Sequence, residues 1–175
     1  MPSGKTHDLI TVLLLPPTFG ATWFLTNDTQ LAIAATAATA FSGFMFGPDL
    51  DTQSTQYARW GVFRFLWFPY KVVFAHRSRW SHGIVFGTLI RVLYFSGIIA
   101  LLTLLALYGR ATLITQSSPS LVEIWNEWRA VQLALLNSAD TNMLWAGFFG
   151  LWWGAASHTL TDVGWSILRK GSEIF

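Results

Sequence analysis

The sequence predicts an all-α protein with about four transmembrane helices and additional amphipathic helices at the membrane interface. Of its 175 residues, 53% are hydrophobic and only 11% are charged, and the mean hydropathy is +0.43. Soluble domains carry about 25% charged residues, so this deficit indicates a membrane protein. The ten Trp and fourteen Phe fit the same class, because aromatic side chains concentrate at bilayer interfaces. The length suits a single domain, residues 1–175.

Two apolar runs joined by a short turn open the chain. Residues 9–26 are about long enough to cross a bilayer, and Pro16 and Pro17 near their middle predict a kink. Asn27 and Asp28 form the turn. Residues 30–47 then return across the membrane, and their small side chains suit close helix packing. The first eight residues lack the features of a cleavable signal, so we expect them to be retained.

The rest of the chain supplies the other predicted helices. Residues 57–75 combine three basic and eight aromatic side chains, which fits an interfacial helix broken at Pro69. Residues 83–108 and 143–165 are the third and fourth predicted spans. Between them, Ser120 and Glu123 form a capping-box pattern that starts an amphipathic helix ending near Leu136.

Basic residues are distributed unevenly about these four spans. Four crossings would place both termini and the 48–82 loop on one side, with eight of the eleven Lys and Arg residues, and Arg91 would be the ninth if its side chain extends back to that side. Only Arg110 and Arg129 would lie on the other side. Because basic residues concentrate on the cytoplasmic side of membrane proteins, both termini are predicted to be cytoplasmic.

The same topology brings all four histidines and three aspartates to the cytoplasmic ends of the spans. His158 and Asp162 are one helical turn apart and can share an ion. The chain has no Cys, so a metal must use imidazole and carboxylate ligands, which suits Zn first and Mn or Fe as alternatives. The number of candidates exceeds what one four-coordinate ion needs, so the site could hold one or two divalent ions. The candidate ligands are His7, Asp49, Asp51, His76, His82, His158 and Asp162.

Each candidate ligand also has a structural interpretation. A single His at a membrane end commonly serves as an interface residue, and a carboxylate pair after a helix often belongs to a solvated turn. His158 and Asp162 could form a hydrogen bond between spans. The metal hypothesis rests on the shared location of all four histidines, because ionisable groups at a membrane are costly unless they have a function.

Three arginines could serve an anionic group beside the metal. Arg77 and Arg79 could equally anchor the positive side of the protein. Arg91 lies about 13 Å along the third span from His82, at about 1.5 Å per residue. Its side chain could extend back toward the site or bind an anionic substrate.

Three motifs follow one another along the chain: GPDLDTQS at 47–54, HRSRWSHG at 76–83 and GAASHTLTD at 154–162. With the early His7, their order resembles the bacterial family of predicted inner-membrane-associated metal-dependent hydrolases. The opening MPSGKTHD and the PDLD, RWG and HRSRWSHG strings are similar to a smaller group of uncharacterised predicted metal-binding proteins. The resemblance implies ligand roles for the seven candidates and a bacterial inner, or other internal, membrane. The longer spacing in HRSRWSH leaves open whether both of its histidines bind the same ion.

Two functional hypotheses from different classes follow. The first is an integral membrane metal-dependent hydrolase that acts at the cytoplasmic face on a lipid-like or phosphorylated substrate. Metal-activated water would be the nucleophile, Asp51 the general base, and Arg77 or Arg91 would stabilise the developing anion. The second is a non-catalytic, metal-stapled scaffold or subunit that docks a protein partner through its aromatic surface. A metal transporter is disfavoured because no ionisable pair lies near mid-membrane. Membrane lipids are expected partners, and nothing indicates nucleic acid.

Overall fold

The computed structural model describes residues 3–74, 78, 80–115 and 118–172, in two compact units. The first unit comprises Met1–Arg91 and Thr141–Phe175, and the second comprises Val92–Asp140. The described residues are predominantly helical and include no β-strand, so the prediction of an all-α fold is confirmed. The helices are α1 (Gly4–Thr26), α2 (Thr29–Phe44), a first 3₁₀ helix (Pro48–Asp51), α3 (Thr55–Arg59), a second 3₁₀ helix (Gly61–Trp67), α4 (Phe68–Val73), α5 (Phe86–Thr115), α6 (Leu121–Ser138) and α7 (Thr141–Ser172).

The predicted turn between the first two helices is confirmed. Asn27 ends α1 in the left-handed region, with φ 51°, a conformation that Asn tolerates better than most residues. Asp28 then caps α2 by accepting hydrogen bonds from the first backbone N–H groups of that helix. Helix α1 begins at Gly4 rather than at residue 9, so it includes His7. Its helical backbone continues through Pro16 and Pro17.

Helix α2 packs against both α1 and α7, and small residues bring α2 and α7 into backbone contact. A Cβ atom at Gly154 would lie 2.5 Å from the backbone oxygen of Thr39. Gly150, one turn earlier on α7, meets the backbone of Ala35 as closely. The hydroxyl of Ser42 donates a hydrogen bond of 2.6 Å to the backbone oxygen of Leu151. This small-residue seam fixes the position of α7 on α2.

Residues 57–75, predicted as an interfacial helix broken at Pro69, are divided into more pieces than predicted. The described part of that stretch forms three short pieces, which are the end of α3, the second 3₁₀ helix and α4. Gly61, at the boundary between α3 and the second 3₁₀ helix, has φ +55°. Pro69 instead lies in the first turn of α4, where its missing N–H costs no hydrogen bond. The buried residues of this segment are Trp67 and Tyr70, which contact each other edge to face.

Three described helices, not four, are long and apolar enough to cross a membrane. They are Gly4–Thr26, Thr29–Asp51 and Phe86–Ile114. The predicted fourth span lies within α7, where Gly, Trp, Ser and Thr residues, together with His158 and Asp162, replace much of the aliphatic content. Because the prediction of cytoplasmic termini needs an even number of crossings, it depends on α7 and stays a prediction.

The second unit contains the continuation of α5 and all of α6. The predicted capping box is confirmed, since Ser120 and Glu123 exchange hydrogen bonds between side chain and backbone. Within this unit, Trp128 Nε1 donates a hydrogen bond of 2.9 Å to the carbonyl of Ala100. Ile124 is the one buried residue of the described α6.

Substituting Gly154 with Ala tests the seam between α2 and α7. The added methyl would overlap a backbone carbonyl that cannot rotate away, so we expect a loss of stability of about 1–3 kcal/mol. The measurement is reversible unfolding of the purified protein in detergent. Gly147→Ala on the same helix is the matched control, because its Cβ meets nothing within 4 Å. Equal stabilities for the two variants would contradict the seam.

Candidate metal centre

Four separate segments of the first unit bring six of the seven predicted ligands together. Helix α1, the first 3₁₀ helix, the turn before α5 and helix α7 each contribute. His76 is the exception, because it lies outside the described residues, as do Arg77 and Arg79. The six residues that converge are His7, Asp49, Asp51, His82, His158 and Asp162.

His7, His158 and Asp162 form the first cluster. The two imidazole rings are stacked, with centroids 3.7 Å apart and planes 8° from parallel. His7 Nε2 lies 3.4 Å from Asp162 Oδ1, and His158 Nε2 lies 3.9 Å from Asp162 Oδ2. One ligand atom from each of the three residues lies within 4.8 Å of the other two. Since both histidines are buried, these three residues could hold a metal ion away from bulk water.

Asp49 links this cluster to a second one around His82. Its Oδ2 lies 3.3 Å from His158 Nε2, and its Oδ1 lies 3.3 Å from His82 Nε2. Asp51 approaches the other nitrogen of His82, with Oδ2 3.4 Å from Nδ1. The two aspartates therefore address opposite sides of one imidazole, which their spacing of two residues in a 3₁₀ helix allows.

The local sequence explains the position of the two aspartates. Pro48 occupies the first turn of the 3₁₀ helix, where its fixed φ is favourable. Leu50, between the aspartates, has no exposed surface and anchors the turn in the core. Ser54 donates a hydrogen bond of 2.8 Å to the backbone oxygen of Asp49 and also caps α3. The turn is thus held from both ends.

The six residues fit a divalent metal. Both ring nitrogens of His158 are buried and make no hydrogen bond of good geometry among the described residues. Buried polar atoms normally have one, so their approach at 3.3–3.9 Å needs another explanation. Ligands about 2.0–2.1 Å from a tetrahedral ion lie about 3.3–3.4 Å from one another. The spacing, the burial and the imidazole–carboxylate composition all match such a set.

The charge on His82 depends on its two aspartates. Burial disfavours the imidazolium, but hydrogen bonding to the carboxylates of Asp49 and Asp51 outweighs burial and raises the pKa of His82 to about 9. Without a metal, His82 is therefore protonated at neutral pH. A metal that binds its nitrogen must displace this proton, as is general for histidine ligands.

Arg91 is buried beside the second cluster, with 1% of its surface exposed. Its Nη1 donates a hydrogen bond of 2.7 Å to the backbone oxygen of Ser81, and Nη2 donates to the hydroxyl of Thr88 at 3.2 Å. Arg91 thus holds the residue that precedes His82, while Ser81 Oγ lies 3.1 Å from His82 Nδ1. Its predicted catalytic role stays a prediction.

Two polar residues next to the first cluster, Arg59 and Gln56, were not among the predicted site residues. Arg59 was counted only as a positive charge for membrane orientation, although it stands in the RWG string. In the structure it forms a two-pronged ion pair with Asp8, with Nη1–Oδ1 and Nη2–Oδ2 distances of 2.8 and 2.5 Å. Gln56 is 5% exposed and donates through Nε2 to the backbone oxygen of Gly43.

Comparison with known proteins gives one match. A family model described as "Uncharacterized metal-binding protein (DUF2227)" matches residues 2–171, nearly the whole chain. No curated protein and no solved structure matches the chain. The family description agrees with the ligand set, and it specifies neither the metal nor a reaction.

Replacing Asp162 with Asn tests the first cluster. The substitution keeps the shape but removes the anionic ligand, so we expect metal affinity to fall about tenfold or more. The measurement is the divalent metal content of the detergent-purified protein, followed by titration of the metal-free protein with Zn²⁺. Asp140→Asn is the control, because Asp140 belongs to neither cluster. Unchanged metal content and affinity in Asp162→Asn would contradict this site.

Proposed function

The chain belongs to this family of uncharacterised metal-binding proteins, and on that premise we propose that it is a membrane metal-dependent hydrolase for phosphorylated or lipid-like substrates. The observation that carries the proposal is a cavity of about 320 Å³ lined by His7, Asp49 and His158. Structural metal sites have all their positions filled by protein ligands, whereas catalytic sites keep one open. Access from a cavity to three candidate ligands supports the catalytic alternative.

The two clusters suggest how one or two ions would be held. His7, His158 and Asp162 are the ligands for the first ion, and Zn²⁺ suits them best. Asp49 could bridge to a second ion at His82, because its two oxygens face different histidines. When bound, such ions supply Lewis-acid polarisation of a phosphoryl or acyl oxygen and an acidified water.

In this proposal, Asp51 acts through His82. The Asp51 side chain is completely buried, and its carboxylate faces Nδ1 of His82. A carboxylate at one imidazole nitrogen fixes the tautomer and orientation of the ring, so the other nitrogen points at the reacting centre. Arg91 supports the same ring through Ser81. The burial of Asp51 thus favours an orienting role over direct proton abstraction from water.

Three helices of sufficient length and apolarity support a location in a membrane. Helices α1 and α2 carry His7 near the start of one and Asp49 just beyond the end of the other. The cluster would therefore lie near the surface of the bilayer, where a lipid headgroup or a dissolved phosphate ester can reach it. The cytoplasmic face follows only from the distribution of basic residues.

A metal-stapled scaffold is the second candidate. Exposed aromatic side chains on the second 3₁₀ helix and the start of α4 favour the scaffold, since large exposed apolar surfaces mark protein or membrane contacts. Phe63, Phe65 and Phe68 are 59%, 63% and 62% exposed. Such a scaffold would bind metal tightly and catalyse nothing.

Hydrolysis of simple esters distinguishes the two candidates. Metal-loaded protein in detergent should cleave p-nitrophenyl phosphate or bis(p-nitrophenyl) phosphate, and chelation should abolish the reaction. Asp51→Asn should lower kcat about 10–100-fold, because His82 loses the carboxylate that orients it. Asp140→Asn is again the control. A fully metal-loaded protein that cleaves no phosphate or acyl ester would contradict the hydrolase and favour the scaffold.

A further inference from the structure

The cavity beside the first cluster is also lined by polar residues that are not candidate metal ligands. Besides His7, Asp49 and His158, it is lined by residues 52–56 and by Arg59 with its partner Asp8. Its volume of about 320 Å³ is near the lower end for small-molecule sites, so it suits a headgroup-sized ligand.

Gln56 presents an unused hydrogen-bond acceptor in the lining of this cavity. Its Nε2 is held by the carbonyl of Gly43 at 2.8 Å, which fixes the orientation of the amide. Its Oε1 is buried and has no hydrogen-bond partner among the described residues. A buried acceptor without a partner is destabilising, so the site favours a ligand that brings a donor such as a hydroxyl.

Arg59 presents a cation that can exchange partners. Both Nη atoms of its guanidinium donate hydrogen bonds to the carboxylate of Asp8, and Nη1 also donates to the backbone oxygen of Phe44 at 3.0 Å. The side chains of Arg59 and Asp8 are 31% and 29% exposed. Ion pairs with this much exposure contribute little stability, so a competing anion can displace the carboxylate at small cost. Phosphate oxygens match the guanidinium fork as well as a carboxylate does.

We propose that this cavity binds the phosphate ester of the substrate, with Arg59 leaving Asp8 to bind phosphoryl oxygens and Gln56 Oε1 accepting a hydrogen bond from a substrate hydroxyl. The proposal rests on the proposed hydrolase function. It adds two specificity residues and narrows the substrate to a hydroxylated phosphate ester. Such a group occurs both on phospholipids and on soluble phosphate esters. Asp8 directly follows His7 in α1, so the ion pair of Asp8 with Arg59 lies beside the first cluster.

Opposite effects of Asp8 and Arg59 substitutions test the anion site. Binding of inorganic phosphate to the full-length protein in detergent is measured by calorimetry, with and without bound Zn²⁺. Arg59→Gln should weaken phosphate binding about tenfold, as expected for loss of a charge-assisted contact. Asp8→Asn should strengthen binding severalfold, because it removes the competing anion. Arg64→Gln is the matched control, because Arg64 does not line this cavity, and its affinity should be unchanged.

If Arg59 and Asp8 form only a structural pair, both substitutions should lower stability and leave phosphate affinity unchanged, and this result would overturn the proposal. The hydroxyl is tested by comparing glycerol 3-phosphate with propyl phosphate. Wild-type protein should bind the former severalfold more tightly, and equal affinities would remove Gln56 from the site. A preference for lysophosphatidic acid over glycerol 3-phosphate would identify the lipid source, and the reverse would identify the soluble one.

The failures of the two proposals are distinguishable. If phosphate binds with the expected responses to Asp8→Asn and Arg59→Gln but no ester is cleaved, the phosphate-binding cavity is supported and the hydrolase function is contradicted. If esters are cleaved while both variants leave KM and phosphate affinity unchanged, the hydrolase function is supported and the phosphate-binding cavity is contradicted.

Discussion

The contact of the Asp49 carboxylate with two histidines is the interaction on which the site depends. One oxygen faces His158 on α7 and the other faces His82 before α5. Without Asp49, the stacked pair of His7 and His158 and the pair of His82 and Asp51 would be separate clusters. An anion between imidazoles on both sides is stabilised either by protonated histidine or by metal. The family description favours metal.

The packing of α2 makes this convergence possible. The backbone contact of α7 with α2 at Gly154 lies one helical turn before His158, so the seam fixes the position of His158 along α2. On the other side of α2, Gly43 meets the side chain of Thr11, one turn after His7. Small residues on two faces of one helix thus bring α1 and α7 close enough for their histidines to stack.

The sequence grouped candidate residues that the structure brings close together, while it assigned some of the helices around them differently. Histidine and aspartate are rare enough in this chain that a shared location at helix ends already indicates one cluster. By contrast, hydropathy assigned a fourth span to α7, where Gly150 and Gly154 serve packing against α2, and residues 57–75 are divided into more pieces than the helix broken at Pro69 that their composition predicted. The pair of Asp8 and Arg59 could not be predicted, because it joins positions 51 apart through the tertiary fold. For Arg91 the sequence offered two alternatives, and the structure shows the one in which the side chain extends back toward His82, through its hydrogen bond to the backbone oxygen of Ser81.

X-ray absorption at the metal edge of the Zn²⁺-loaded, full-length protein tests the central claim most directly. Coordination by His7, His158 and Asp162, joined by Asp49, predicts scattering from at least two imidazole rings with nitrogens about 2.0–2.1 Å from the ion. Asp49→Asn should alter the oxygen contribution and leave the imidazole contribution in place. A spectrum with oxygen ligands alone, and no imidazole scattering, would contradict a metal centre at this cluster.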